Sequence, residues 1–113
     1  MSWLTTHILD VTRGLPAPGV AVLCELETVG NFTEVARGAT DVDGRLKSLF
    51  APNEPLKTGI YRLTFETGTY FSALHVTTLY PRVQITFEAK AGELHYHVPL
   101  LLSPFGYTTY RGT

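Results

Sequence analysis

The sequence predicts an all-β fold, an antiparallel β-sandwich of seven to eight strands with one short helix. Residues 60–66 and 82–88 alternate apolar and polar side chains without interruption, a period of two that is typical of strands burying one face. Turn-forming residues separate the other short apolar segments, and the 113 residues show no repeat and no change of composition. The chain is therefore expected to form one domain, residues 1–113, around a single core.

The first half of the chain contains four predicted strands, at residues 3–11, 20–28, 32–39 and 45–50. The first strand ends at the glycine- and proline-rich segment RGLPAPG, the second turns into the third at VGN, and the fourth follows the turn DVDG. Glycine, proline, asparagine and aspartate favour turns because they supply a positive or fixed φ or a local side-chain hydrogen bond.

The second half begins with a proline-rich loop at residues 51–59 and continues with the two alternating strands. Their inward faces are expected to bury six apolar side chains, Tyr61, Leu63, Phe65, Val83, Ile85 and Phe87. Residues 69–79 between these strands lack alternation, so they are predicted to hold the short helix. The last two strands, residues 94–102 and 107–111, are joined by the turn SPFG.

Composition excludes several classes of protein. The formal net charge is −1 and no block of Lys or Arg occurs, which argues against nucleic-acid and anionic-membrane partners. No apolar run is long enough to cross a bilayer, and the N-terminal segment MSWLTTH lacks the features of a signal peptide. A cytoplasmic protein is therefore expected. Cys24 is the only cysteine, lies between Val22 and Leu26 on one strand face, and is predicted to be a buried structural thiol.

The strand period assigns the histidines to an outer sheet face. The core-facing side of strand 94–102 is apolar, which leaves His95 and His97 on the opposite side. His7 occupies the outer side of strand 3–11, together with Leu9 and opposite Leu4, Thr6, Ile8 and Asp10. An outer face that combines histidines with apolar groups is typical of a subunit interface or a cavity wall.

Other sites fit the residues less well. The triplet His95-Tyr96-His97 has the spacing of metal-binding strands, but no third ligand is suitably spaced, so no metal is predicted. The segment Asp41-Val42-Asp43-Gly44 is predicted to be an Asp-Gly turn, because its glycine comes too early for a calcium loop. Arg45 follows that turn and would ordinarily be a solvated strand end. No phosphate loop and no serine or cysteine nucleophile motif is present.

Six segments together resemble the transthyretin-like family over nearly the whole chain: LTTHILD, GLPA, TDVDGR, GIYR, HYHVPLLLSP and YTTYRGT. The last two are the most specific, because the hormone carriers of the family lack this histidine pattern and this tail. The hydrolases of the family end in Tyr-Arg-Gly-Ser, whereas this chain has Thr113 at the last position.

The resemblance implies an enzyme that hydrolyses 5-hydroxyisourate, a product of urate oxidation, to 2-oxo-4-hydroxy-4-carboxy-5-ureidoimidazoline without a cofactor. It also implies a homotetramer, a dimer of dimers with active sites where the dimers meet. His7, Arg45, His97 and the tail from Tyr110 to Thr113 match the functional positions of the family, with His95 as a supporting residue.

These residue types suit the implied reaction. A histidine, whose unperturbed pKa is about 6.5, can take the proton of the attacking water. Arg45 can stabilise the oxyanion, Tyr110 can hydrogen-bond or stack on the flat ring, and Thr113 can offer a hydroxyl or a carboxylate that orients a histidine. The sequence does not decide which histidine is the base. It leaves two alternatives, a carrier of an aromatic ligand in the tetramer channel and an immunoglobulin-like adhesion domain.

Overall fold

The computed structural model describes residues 2–113 and contains two β-sheets and one helix. The elements are β1 (Leu4–Asp10), β2 (Leu15–Pro16), β3 (Ala21–Thr28), β4 (Asn31–Ala39), β5 (Arg45–Leu46), β6 (Gly59–Phe65), α1 (Thr67–Ala73), β7 (Val83–Ala89), β8 (Tyr96–Ser103) and β9 (Gly106–Thr109). The predicted β-sandwich with one short helix is confirmed. Within the described residues, seven strands have at least four residues, and β2 and β5 are two-residue strands.

One sheet has the order β2-β1-β8-β9 with β5 also paired to β1, and the other has the order β4-β3-β6-β7. One pairing departs from the predicted antiparallel arrangement, because β1 and β8 run parallel from Leu4↔Tyr96 to Asp10↔Leu102. These strands lie far apart in the sequence and no hairpin joins them, so a hairpin does not force opposite directions. The parallel register places Thr5 beside His97.

Several predicted boundaries differ from the structure. The strand predicted at residues 45–50 ends at Leu46, because the chain then turns Leu49 and Phe50 into the core. The helix predicted within residues 69–79 begins and ends earlier, at Thr67–Ala73. The last strand stops at Thr109, and an isolated bridge between Gly112 and His97 continues the pairing.

The two sheets bury one apolar core between them. The inward faces of β1 and β8 are buried as predicted, and they include Leu4, Ile8, Tyr96, Val98, Leu100 and Leu102. The ring of Trp3 stacks on Phe50 with centroids 5.0 Å apart. Burial raises the pKa of the Cys24 thiol to about 12, so this side chain is an unreactive part of the core, as predicted.

Candidate functional site

The outer face of the first sheet brings His7, Arg45 and His97 close together. His7 is paired with Arg45 on β5 and with Pro99 on β8. Thr5, two residues earlier on β1, is the register partner of His97. Both histidines are half-buried and the arginine is exposed. The three side chains, from β1, β5 and β8, therefore share a single surface; the strand period predicted this for the two histidines, and the family resemblance implied it for Arg45.

A tight turn sets the position of Arg45. The Asp41 carboxylate accepts hydrogen bonds from the backbone N–H groups of Asp43 and Arg45, at 2.8 and 3.0 Å. Gly44 has φ +73, and a Cβ on it would lie 2.5 Å from the carbonyl oxygen of Ile8. Glycine is required there because the backbone is left-handed and lies directly on β1. The predicted Asp-Gly turn is thus confirmed, and it delivers Arg45 next to His7.

The ring of His97 is held from two sides. On the β1 side its Nδ1 lies 2.8 Å from the Thr5 hydroxyl oxygen, which also lies 3.2 Å from Nε2 of His95. On the other side the Gly112 N–H donates to the His97 carbonyl at 2.8 Å. A Cβ on Gly112 would lie 2.5 Å from Cδ2 of the ring. The tail therefore packs against the imidazole at a position where only glycine fits.

The electrostatic surroundings favour a neutral His97. Burial lowers its pKa below the ordinary value, and Coulombic repulsion from His95, His7 and Arg45 lowers it further. The contact with Thr5 acts in the opposite direction. A neutral imidazole has one nitrogen lone pair that can accept a proton, so His97 suits the role of a general base at neutral pH.

The tail residues do not all point the same way. Tyr110 is 55% exposed and Thr113 is exposed beside Gly112, both free to meet a ligand or a neighbouring molecule. The guanidinium of Arg111 instead lies 4.6 Å above the ring of Tyr96 and pairs with Glu93 at 3.0 Å. Within this chain Arg111 therefore points away from the His97 ring. Adjacent residues of an extended chain alternate sides, so Arg111 faces away when Gly112 faces His97.

Sequence reasoning missed Thr5 as a member of this site. The only signal was its spacing, because a residue two before His7 shares the same strand face.

A cavity of about 280 Å³ borders Arg45 but is lined by neither His7 nor His97. Among residues 2–113, no group of three or more His, Cys, Asp or Glu side chains is arranged to hold a metal ion. In the same part of the chain, no helix has the length and hydropathy needed to cross a membrane.

Two sequence comparisons identify relatives over nearly the whole chain. The HIUase/Transthyretin family model matches residues 4–112. A 5-hydroxyisourate hydrolase of Salmonella typhimurium is 44% identical over 110 residues, covering 97% of this chain and 80% of the relative. The 5-hydroxyisourate hydrolase of Mus musculus is 41% identical, with 97% of this chain and 94% of the relative covered.

Solved structures of the same family are similar to this chain over nearly its whole length. The 5-hydroxyisourate hydrolase of Klebsiella pneumoniae superposes with a TM-score of 0.87 at 38% identity, covering 99% of this chain and all of that one (100%). Sea bream transthyretin in complex with thyroxine superposes with a TM-score of 0.91 at 34% identity, with coverage of 99% and 96%. Sequence and structure together show that this chain belongs to the HIUase/transthyretin family.

Proposed function

We propose that this protein hydrolyses 5-hydroxyisourate to 2-oxo-4-hydroxy-4-carboxy-5-ureidoimidazoline. The observation that carries the proposal is the grouping of His7, Arg45 and His97 on one sheet face beside the C-terminal tail. The names of the Salmonella and mouse relatives support the same substrate. The single domain and the cytoplasmic location expected from the sequence stay predictions.

The chemistry can be written with protein groups and water. Water transfers a proton to the free nitrogen of His97 while its oxygen bonds to the amide carbonyl carbon of the six-membered ring. The carbonyl oxygen gains a negative charge that the guanidinium of Arg45 stabilises. The intermediate collapses, the ring C–N bond breaks, and the imidazolium returns the proton to the leaving nitrogen. In this scheme His7 and Tyr110 bind the ring, and Thr113 contributes its hydroxyl.

The proposal includes the homotetramer expected from the family. The outer face carries apolar groups in line with the histidines. Leu9 and Leu101 are partly buried on it, and Val11, which directly follows β1, is 47% exposed. Apolar patches beside polar groups are typical of interaction sites, and a neighbouring subunit would close the open surface over the substrate.

We expect static light scattering to give a mass of four chains at micromolar concentration. Burial of the outer face supplies the driving force, since exposed apolar area is removed from water on assembly. The measurement should be repeated with dilution, because a weak assembly dissociates by mass action. A mass of one chain at every concentration would contradict the tetramer and the composite site.

Replacing Arg45 by Lys should reduce kcat/KM about ten- to a hundredfold without unfolding the protein. Lys keeps the charge but loses the planar fork, so a two-point contact becomes a single one. Loss of a charged hydrogen bond costs about 1.5–3 kcal/mol, which corresponds to that range of rates. Arg37→Lys is the matched control, because Arg37 is an exposed arginine of β4 that pairs with Glu34. An Arg45→Lys enzyme as active as Arg37→Lys would remove Arg45 from the site.

A spectrophotometric assay tests the proposed function against the carrier alternative. The similarity to the thyroxine complex of sea bream transthyretin favours that alternative, because one fold serves several functions. 5-Hydroxyisourate is generated with urate oxidase, and the loss of its absorbance is followed with and without this protein. The hydrolase accelerates the loss in proportion to protein concentration. A carrier leaves the rate unchanged or slows it by sequestering the compound.

A further inference from the structure

The hydroxyl of Thr5 lies between two imidazole rings. It is buried on β1, 2.8 Å from Nδ1 of His97 and 3.2 Å from Nε2 of His95. Both distances are within the range of hydrogen bonds. Because the two rings belong to adjacent outward positions of the His95-Tyr96-His97 segment, one threonine contacts both histidines of that segment.

The number of protons restricts the arrangement. A threonine hydroxyl donates one hydrogen bond and can accept two. It can therefore donate to only one of the two rings, and the nitrogen of the other ring must carry a proton and donate to Thr5. The protonation states of His95 and His97 are coupled in this way through the hydroxyl of Thr5.

The proposed reaction distinguishes the two arrangements. Nδ1 of His97 faces the buried hydroxyl of Thr5 at 2.8 Å, so Nε2 is the ring nitrogen left for water. A general base needs a free lone pair on the nitrogen that water reaches, so the arrangement that serves the reaction has the proton on Nδ1. The proton of the Thr5 hydroxyl is then available for Nε2 of His95.

We infer that Thr5 is a positioning residue that holds neutral His97 in its Nδ1–H form and leaves the Nε2 lone pair free to accept the proton of the attacking water. His97 Nδ1–H donates to Thr5 Oγ1, and Thr5 Oγ1–H donates to His95 Nε2. On the opposite side, Gly112 packs against the Cδ2 edge of the His97 ring, so the ring is also fixed in orientation. This inference rests on the proposed function, but the tautomer of His97 can be measured without any substrate.

Three variants distinguish a role of Thr5 in positioning His97 from a role in stabilising the fold alone. Thr5→Val keeps the shape of the side chain and removes the hydroxyl, and Thr5→Ser keeps the hydroxyl. Thr6→Val is the matched control, because Thr6 is the next residue of β1, equally buried, and donates a hydrogen bond of 2.6 Å to the carbonyl of Val98. Loss of either buried hydroxyl should weaken the fold to a similar extent.

The direct readout is the ¹⁵N NMR spectrum of the imidazole nitrogens, which distinguishes the two tautomers of a neutral histidine. We expect Nδ1–H for His97 in the wild type, Thr5→Ser and Thr6→Val, and a mixture containing Nε2–H in Thr5→Val. In turnover of 5-hydroxyisourate, Thr5→Val should lose roughly tenfold or more in kcat with little change in KM, because a smaller fraction of His97 has the correct lone pair. Thr5→Ser should recover most of that loss.

The NMR spectrum tests the role of Thr5, and the turnover assay of the wild type tests the proposed function, so each can be contradicted without the other. A wild-type protein that does not turn over 5-hydroxyisourate would contradict the proposed function, and the spectrum would still decide the role of Thr5. An Nε2–H form of His97 in the wild type, or unchanged ring signals in Thr5→Val, would overturn the inference. So would a kcat for Thr5→Val equal to that of Thr6→Val.

Discussion

Deletion of residues 110–113 is expected to reduce hydrolysis of 5-hydroxyisourate by roughly a hundredfold or more while the β-sandwich stays folded. The tail contributes the Gly112 contact with the His97 ring, together with Tyr110 and Thr113 in the proposed site. Its contribution to the fold is small. The exposed ion pair of Arg111 with Glu93 is of a kind that contributes little stability. Upstream of the deletion, Thr109 still donates a hydrogen bond to the carbonyl of Pro99 at 2.8 Å.

Circular dichroism, thermal unfolding and turnover of the truncated protein check this prediction. Terminal residues of most domains fray and can be removed without consequence, so full activity after truncation would make the tail an ordinary strand end. A point substitution refines the test without shortening the chain. Gly112→Ala forces a methyl group toward the His97 ring and should also lower kcat, whereas Gly106→Ala meets its nearest neighbour at an ordinary 3.7 Å and should not.

Replacing His97 by Asn should lower kcat by a factor on the order of 10² to 10⁴, the usual contribution of a general base. Asparagine retains a hydrogen-bonding amide of similar reach but cannot accept the proton of the attacking water. His75→Asn is the matched control, because His75 is exposed, lies outside the strands and has φ 58, a conformation that asparagine tolerates well. If His97→Asn were as active as His75→Asn, His97 would have no role in the reaction.

The pH dependence of the wild type follows from the same residue. Burial first, and then His95, His7 and Arg45, hold the pKa of His97 below its ordinary 6.5. The ring is then mostly neutral at neutral pH, and kcat should stay constant as the pH falls until it approaches the lowered pKa. Below that pKa the ring is protonated and kcat should decline. The decline should disappear in the residual activity of His97→Asn.

The period-two pattern predicted the most important part of the site. Tyr96, Val98 and Leu100 are apolar and lie on the core side of β8, so His95 and His97 had to lie on the other side. The same pattern assigned His7 to the outer side of β1. These assignments depend only on the alternation of side chains along a single strand, which is a local property.

Contacts between strands could not be predicted in the same way. The parallel register of β1 and β8 places Thr5 beside His97, and the order of residues within each strand contains no information on that register. The direction of Arg111 likewise depends on the bridge between Gly112 and His97. Residues that act through a neighbour on another strand can therefore be identified only once the strand pairing is known.

Hydrolysis by protein groups alone is tested most directly by the initial rate of 5-hydroxyisourate loss with protein that has been treated with EDTA. The proposed mechanism uses His97 as base, Arg45 as oxyanion stabiliser and water as nucleophile, so none of its steps involves a metal. We predict a rate that is proportional to protein concentration and unchanged by the chelator. A rate equal to that of buffer alone, or one that is lost on chelation and restored by zinc, would contradict hydrolysis by protein groups.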